Sequence, residues 1–129
     1  PRPIHSYYGE QVLKGERNED FVKEHLVKEP ILSRKEEGFE EYIVGEDDLV
    51  YYSTRQLKFE KKAEGKTGDK FHVLALVDGE KVVVRSKNNP ERSYTMNYLD
   101  IIVVPADIGE YEVVNLGNQP VVVYKVMVR

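Results

Sequence analysis

From residue 31 onward the chain alternates short apolar runs with turn residues, and this alternation constrains its fold more than any other feature. The runs at 31–36, 39–44, 49–60, 71–77, 80–86, 91–98, 100–104, 111–115 and 120–128 are rich in valine, isoleucine, tyrosine and phenylalanine. Gly38, Asn88-Asn89-Pro90 and Gly117-Asn118 stand between them as turn chemistry. β-Branched and aromatic side chains fit a pleated, half-buried surface. About nine strands at roughly 8–12-residue spacing, with almost no helix among them, predict an all-β sandwich or barrel. Closing the sheet removes the edges that so many valine-rich strands would otherwise expose.

Within that frame Asp78-Gly79 is the sharpest local signal. It separates 71–77 from 81–85, and an Asp-Gly pair between two β-rich runs predicts a hairpin with a type I′ turn. A second pairing is expected to run from Ser93-Tyr94 through 101–104 to 111–115. The longest run, 49–60, has Val50, Tyr52, Thr54, Gln56 and Lys58 on one face. Leu49, Tyr51, Ser53, Arg55, Leu57 and Phe59 share the other. Residues 61–69 are charged and glycine-containing and predict a solvated loop.

The first thirty residues read differently. Residues 1–17 hold two prolines without periodicity and predict an extended arm, with a weak helical turn near 11–13. Residues 18–29 predict a short helix. Asn18 caps it, Glu19 and Asp20 favour its dipole, Phe21, Val22, Leu26 and Val27 form its apolar side, and Pro30 ends it. Two regions follow: an arm with a short helix at 1–30, and a β-barrel at 31–129.

Composition narrows the function classes. A chain of 129 residues has the length of one domain. Its net charge is -4, with 19 basic residues interspersed among 23 acidic ones, which argues against a nucleic-acid footprint. The longest apolar run, of about five residues, is far too short to cross a bilayer as a helix. No signal peptide is visible, and the chain has no cysteine, so disulfides and thiolate metal sites are excluded. A cytoplasmic location is the expectation.

The stretch Asp100-Ile-Ile-Val-Val-Pro105-Ala106, running on to Asn115 and then Leu116-Gly117-Asn118-Gln119-Pro120, resembles the second conserved motif of the cupins. Val77-Asp78-Gly79 resembles the end of the first. The resemblance covers residues 49–128 and implies a double-stranded β-helix, the jelly-roll barrel. PADIGEY, with FHVLALVDGEKVVVRS upstream, is similar to the C-terminal barrel of class I, zinc-dependent mannose-6-phosphate isomerases and their bacterial isomerase-like relatives. The opening PRPIH resembles the connector that follows the catalytic cupin of those enzymes. This resemblance implies that the chain is a C-terminal lobe beginning at the inter-lobe linker. The full protein would interconvert mannose 6-phosphate and fructose 6-phosphate. The zinc, its ligands and the arginine that assists proton transfer would lie upstream. The lobe itself would stabilise or cover the catalytic lobe and be inactive alone.

Metal-binding cupins take His-x-His and a glutamate from the first motif and a histidine from the second. Here the glutamate position, seven before Gly79, is His72. The paired-histidine positions fall near Gly65–Gly68, around Lys66 and Thr67, and the last falls at Glu110 or Tyr111. No metal and no catalytic residue is therefore expected in this chain. The candidate pocket-lining residues are His72, Arg85, Glu110 and Tyr111. A guanidinium fork at Arg85 suits an anionic group such as phosphate. The plainer readings are a core histidine at 72, an exposed Arg85, a rim pair at Glu110 and Tyr111, and solvated or structural His5 and His25. A second function reading is a stand-alone, metal-free cupin that binds a sugar or another small polar molecule. A third is a metal-dependent epimerase or dioxygenase. Expected partners are the N-terminal catalytic lobe and a sugar phosphate. Tyr7-Tyr8 suggests packing on that lobe or, in a homodimer, on a second subunit. Neither nucleic acid nor a membrane is expected.

Overall fold

A computed structural model describes residues 3–48 and 50–129; the start of PRPIH at Pro1 and Arg2, and the strand face of Leu49, lie outside the described residues. The arm is more helical than its sequence predicts. Ser6–Val12 forms α1, although none of its residues is buried and no side chain caps it. Glu19–Phe21 forms α2, and the Asn18 side chain accepts the Phe21 N–H at 3.0 Å, the expected cap. The helix then widens into a π-turn over Val22–Leu26, closed by the Val27 N–H donating to the Val22 carbonyl at 3.0 Å. The arm is fastened next to the barrel by Lys28, whose Nζ donates to the Glu46 carbonyl at 3.2 Å and pairs with the Asp47 carboxylate.

Ten strands follow among the described residues: β1 Ile31–Glu36, β2 Phe39–Gly45, β3 Tyr52–Phe59, β4 Lys62–Lys66, β5 His72–Asp78, β6 Lys81–Ser86, β7 Ser93–Asn97, β8 Ile101–Val104, β9 Glu110–Asn115 and β10 Val121–Val128. They form two antiparallel sheets. The larger has the order β1-β2-β3-β10-β5-β8 and the smaller β4-β9-β6-β7. The sheets face each other, and their inward residues make one core. Leu74, Leu76, Val82, Met96, Val121 and Val123 are fully buried, with Phe39, Leu57, Phe59 and Val113 around them. Each large apolar side chain taken out of water contributes about 1.5–3 kcal/mol.

Two expected pairings are corrected. β5 and β6 do not form a hairpin. β5 lies between β10 and β8 in the large sheet, whereas β6 lies between β9 and β7 in the small one. A type I′ turn needs positive φ at both central residues. Only Gly79 has it, at 105°. Asp78 instead accepts the Gly79 N–H on its carboxylate at 2.9 Å, and the chain steps from one sheet to the other. A Cβ at Gly79 would overlap the side chain of Val121, so glycine is required there twice over. The second expected pairing also divides. β7 pairs with β6, β8 with β5, and β9 with both β6 and β4. The adjacent-strand hairpin on this side is β6–β7.

The solvated loop expected at 61–69 is in part a strand. Lys62, Glu64 and Lys66 point outward, while Ala63 is buried and Gly65 opposes Tyr111 on β9. Its inward residues are small, which hides the period of two from a search for large apolar side chains.

Candidate functional site

The inward faces of the strands change character along their length. β3 passes from Phe59 and Leu57 to Arg55 and Ser53, and β10 from Val121 and Val123 to Lys125. β5 passes from Leu76 and Leu74 to His72, β9 from Val113 to Tyr111, and β2 from Phe39 to Glu41. The register places the polar members toward one end of the barrel: Lys125 opposes Arg55 and Leu74, and His72 opposes Met127 and Val104.

Two pairs form among these polar groups, while Ser53 Oγ and Arg55 Nε are buried without a hydrogen-bond partner among the described residues. His72 Nδ1 and the Tyr111 hydroxyl are hydrogen-bonded at 2.8 Å, with their rings edge-on at 5.8 Å between centroids. The pair bridges β5 and β9 and so joins the two sheets. Lys125 Nζ donates to Glu41 Oε1 at 2.7 Å, and both side chains are about nine-tenths buried. Arg34 approaches the other Glu41 oxygen from the rim at 3.7 Å. Tyr111 has room only because residue 65 is glycine. A Cβ there would lie 2.5 Å from the tyrosine hydroxyl and 2.7 Å from Cε1. Further along β3, Arg55 pairs with Glu46 at 2.9 Å.

Burial sets the protonation of the bridging pair. Desolvation, with the Lys125 ammonium as a second cause and Glu41 opposing, holds the His72 pKa below its ordinary value of 6.5. Burial, helped by the Glu41 charge, raises the Tyr111 pKa above the usual phenol range. Both groups are neutral at physiological pH.

Among the four sequence candidates the structure brings His72 and Tyr111 together. Arg85 points outward from β6, where Nε and Nη2 reach Glu112 Oε1 at 3.1 and 2.8 Å. Glu110 is exposed at the start of β9, 3.5 Å from Lys66 Nζ. Both are apart from the His72–Tyr111 pair. His25 lies beside Phe21 on the arm, and His5 precedes α1. Sequence reasoning missed Glu41, Lys125 and Gly65. Parity was the available signal: Glu41 shares a strand face with Phe39, and Lys125 shares one with Val121 and Val123.

A zinc ion does not fit this interior. Among the described residues no three His, Asp or Glu side chains converge on a point. His72 is engaged through Nδ1, and the Glu41 carboxylate, whose charge it feels, already holds the Lys125 ammonium, which would repel a cation. A cleft of about 210 Å³ reaches Tyr111 from the side. It opens between β7 and β8 and is lined by Ser86, Tyr94, Ile102, Val104, Ile108 and Tyr111. A larger cleft of about 490 Å³ lies between the β1–β2 hairpin and the β3–β4 turn, away from His72.

No family description and no curated protein matches the chain. Solved structures do. A cupin domain from Schizosaccharomyces pombe superposes with a TM-score of 0.57 at 14% identity, over 75% of this chain and 66% of that one. A cupin-2 domain from Rhodospirillum rubrum gives 0.59 at 6% identity, over 78% and 68%. The chain has a cupin fold. A sugar phosphate isomerase of the cupin superfamily from Silicibacter pomeroyi gives 0.57 at 15% identity, covering 81% of this chain and 72% of that one. Cupin likenesses at these identities carry the fold and leave chemistry to be argued from the site. The chain spans just under two thirds of the length of the S. pombe domain.

Proposed function

We propose that the chain is a non-catalytic cupin lobe of a mannose-6-phosphate isomerase-like protein, stabilising or covering a catalytic lobe that carries the zinc and the chemistry. One observation carries this reading: the histidine and the lysine at the polar end of the barrel are each engaged by a buried partner. Aldose–ketose isomerisation needs a base that moves a proton between C1 and C2 and a cation that holds the enediolate oxygen. His72 is 4% exposed and bonded to Tyr111, and Lys125 is committed to Glu41. Neither pair offers a free base or cation to a substrate. The motif at 100–120 and the PRPIH opening support the isomerase parent. The lack of cysteine supports a cytoplasmic location, and among the described residues no helix is long and apolar enough to cross a membrane.

Mannose 6-phosphate turnover tests this. The chain alone is expected to show none. In the protein encoded by the full reading frame, His72→Ala and Lys125→Met are expected to lower the melting temperature while kcat stays within about twofold. Turnover by the isolated chain, or a collapse of kcat in stable variants, would place the chemistry here instead. The cleft between β7 and β8 favours a second reading, a metal-free cupin that binds a small sugar beside Tyr111. Saturable binding of mannose by the isolated chain, lost in Tyr94→Ala, would establish that alternative.

A further inference from the structure

Two apolar surfaces stand out among the described residues. The first is the outer face of the large sheet on its β8 side. Ile101 and Val103 on β8, Val73 and Ala75 on β5, and Tyr124 and Val126 on β10 point away from the core. The register aligns them in two rows, Val103–Val73–Val126 and Ile101–Ala75–Tyr124. None carries a charge, and Ile101 and Val103 are 69% and 59% exposed. β8 is also an unpaired edge, Ile-Ile-Val-Val, without the lysine, proline or bulge that blunts such edges. The outer face of the small sheet is the opposite, crossed by ion pairs such as Arg85–Glu112 and Lys87–Glu64.

The second surface is the arm. Tyr8 and Val12 lie four apart on α1, Ile4 precedes the helix, Leu26 ends the π-turn and Val27 follows it, and all five are exposed. Neither α1, α2 nor the π-turn buries a residue.

We propose that these surfaces are two halves of one interface between two copies of the chain, the arm of each lying across the β8–β5–β10 face of the other. Area supports the exchange. Three strands about 4.8 Å apart, side by side over the four residues of β8 or roughly 14 Å, present a flat face of roughly 200 Å². A stable interface takes about 800 Å² from each partner. A face meeting only a face falls short, and the arm supplies the remaining apolar area on both sides of a two-fold axis. An uncharged centre with tyrosines is the composition of an interface core. The arm enters the barrel at β1, five strands or about 24 Å from β8. Lys28 holds its end at the β2–β3 loop. This inference stands apart from the isomerase reading.

The chain has no cysteine, so an introduced pair reports alone. Tyr8→Cys and Val103→Cys, both at exposed positions, are made in separate full-length chains, mixed and oxidised. A mixed disulfide is expected, together with a solution mass near twice 14.9 kDa that Val103→Lys returns to that of a monomer. Cross-linking no stronger than between Tyr8→Cys and Arg85→Cys chains would overturn the proposal. So would closure of the disulfide within one monomeric chain carrying both substitutions, because the arm would then cover its own sheet.

Discussion

His72 occupies a position where positive charge is penalised from two directions, by burial and by the Lys125 ammonium. Its pKa in the folded protein lies below the 6.5 of the free side chain, so the unfolded chain binds the proton more readily. Stability from this residue is complete above about pH 6.5 and is lost as the pH falls toward the lowered value. The melting temperature of the protein is expected to drop as the pH falls below about 6.5. His72→Gln is expected to flatten that part of the profile, which thermal unfolding in matched buffers will show. Gly65 makes the opposite kind of demand, for space. Gly65→Ala would drive the Tyr111 ring off His72, and urea unfolding is expected to show a loss of about 1–3 kcal/mol.

At the scale of elements, the Glu41–Lys125 pair ties β2 to β10 across the intervening β3. Breaking a buried pair leaves an uncompensated charge, typically a cost of about 3–5 kcal/mol. The two halves are not equivalent, because Glu41 also has Arg34 at 3.7 Å. Glu41→Leu is therefore expected to cost about 3 kcal/mol, Lys125→Met less, and the double variant to recover much of the loss. A double-mutant cycle in urea measures all three. Strand positions were largely legible in the sequence because β-branched runs and turn residues act locally. Pairing was not, because it depends on which sheet each strand joins. Asp78-Gly79 shows why: the same dipeptide that makes a hairpin can pass a chain between two sheets when the next strand finds a more distant partner. β4 was missed because Ala63 and Gly65 carry no apolar signal. At the site, His72 and Tyr111 were visible as candidates. Their contact depends on Gly65, a residue whose only contribution is to be absent from the space that Tyr111 fills.

For the whole molecule, the members of the two buried pairs at the polar end engage each other without requiring an ion between them. Chelation with excess EDTA is expected to leave the melting temperature unchanged to within about 1 °C, in contrast to structural metal sites whose binding energy is folding energy. A drop of several degrees would show that a bound ion stabilises the fold.

The place of β10 has a further consequence. It is the last strand described, yet it lies near the middle of the large sheet, between β3 and β5. Until the ribosome has released Val121–Val128, β1-β2-β3 and β5-β8 have no hydrogen-bonded neighbour in common. Until then the nascent chain carries two half-sheets with bare edges. Such long-range closure is slow, in the range of milliseconds to seconds. Premature termination anywhere before residue 121 would leave a species exposed to aggregation, and quality control in the cell would meet that species first.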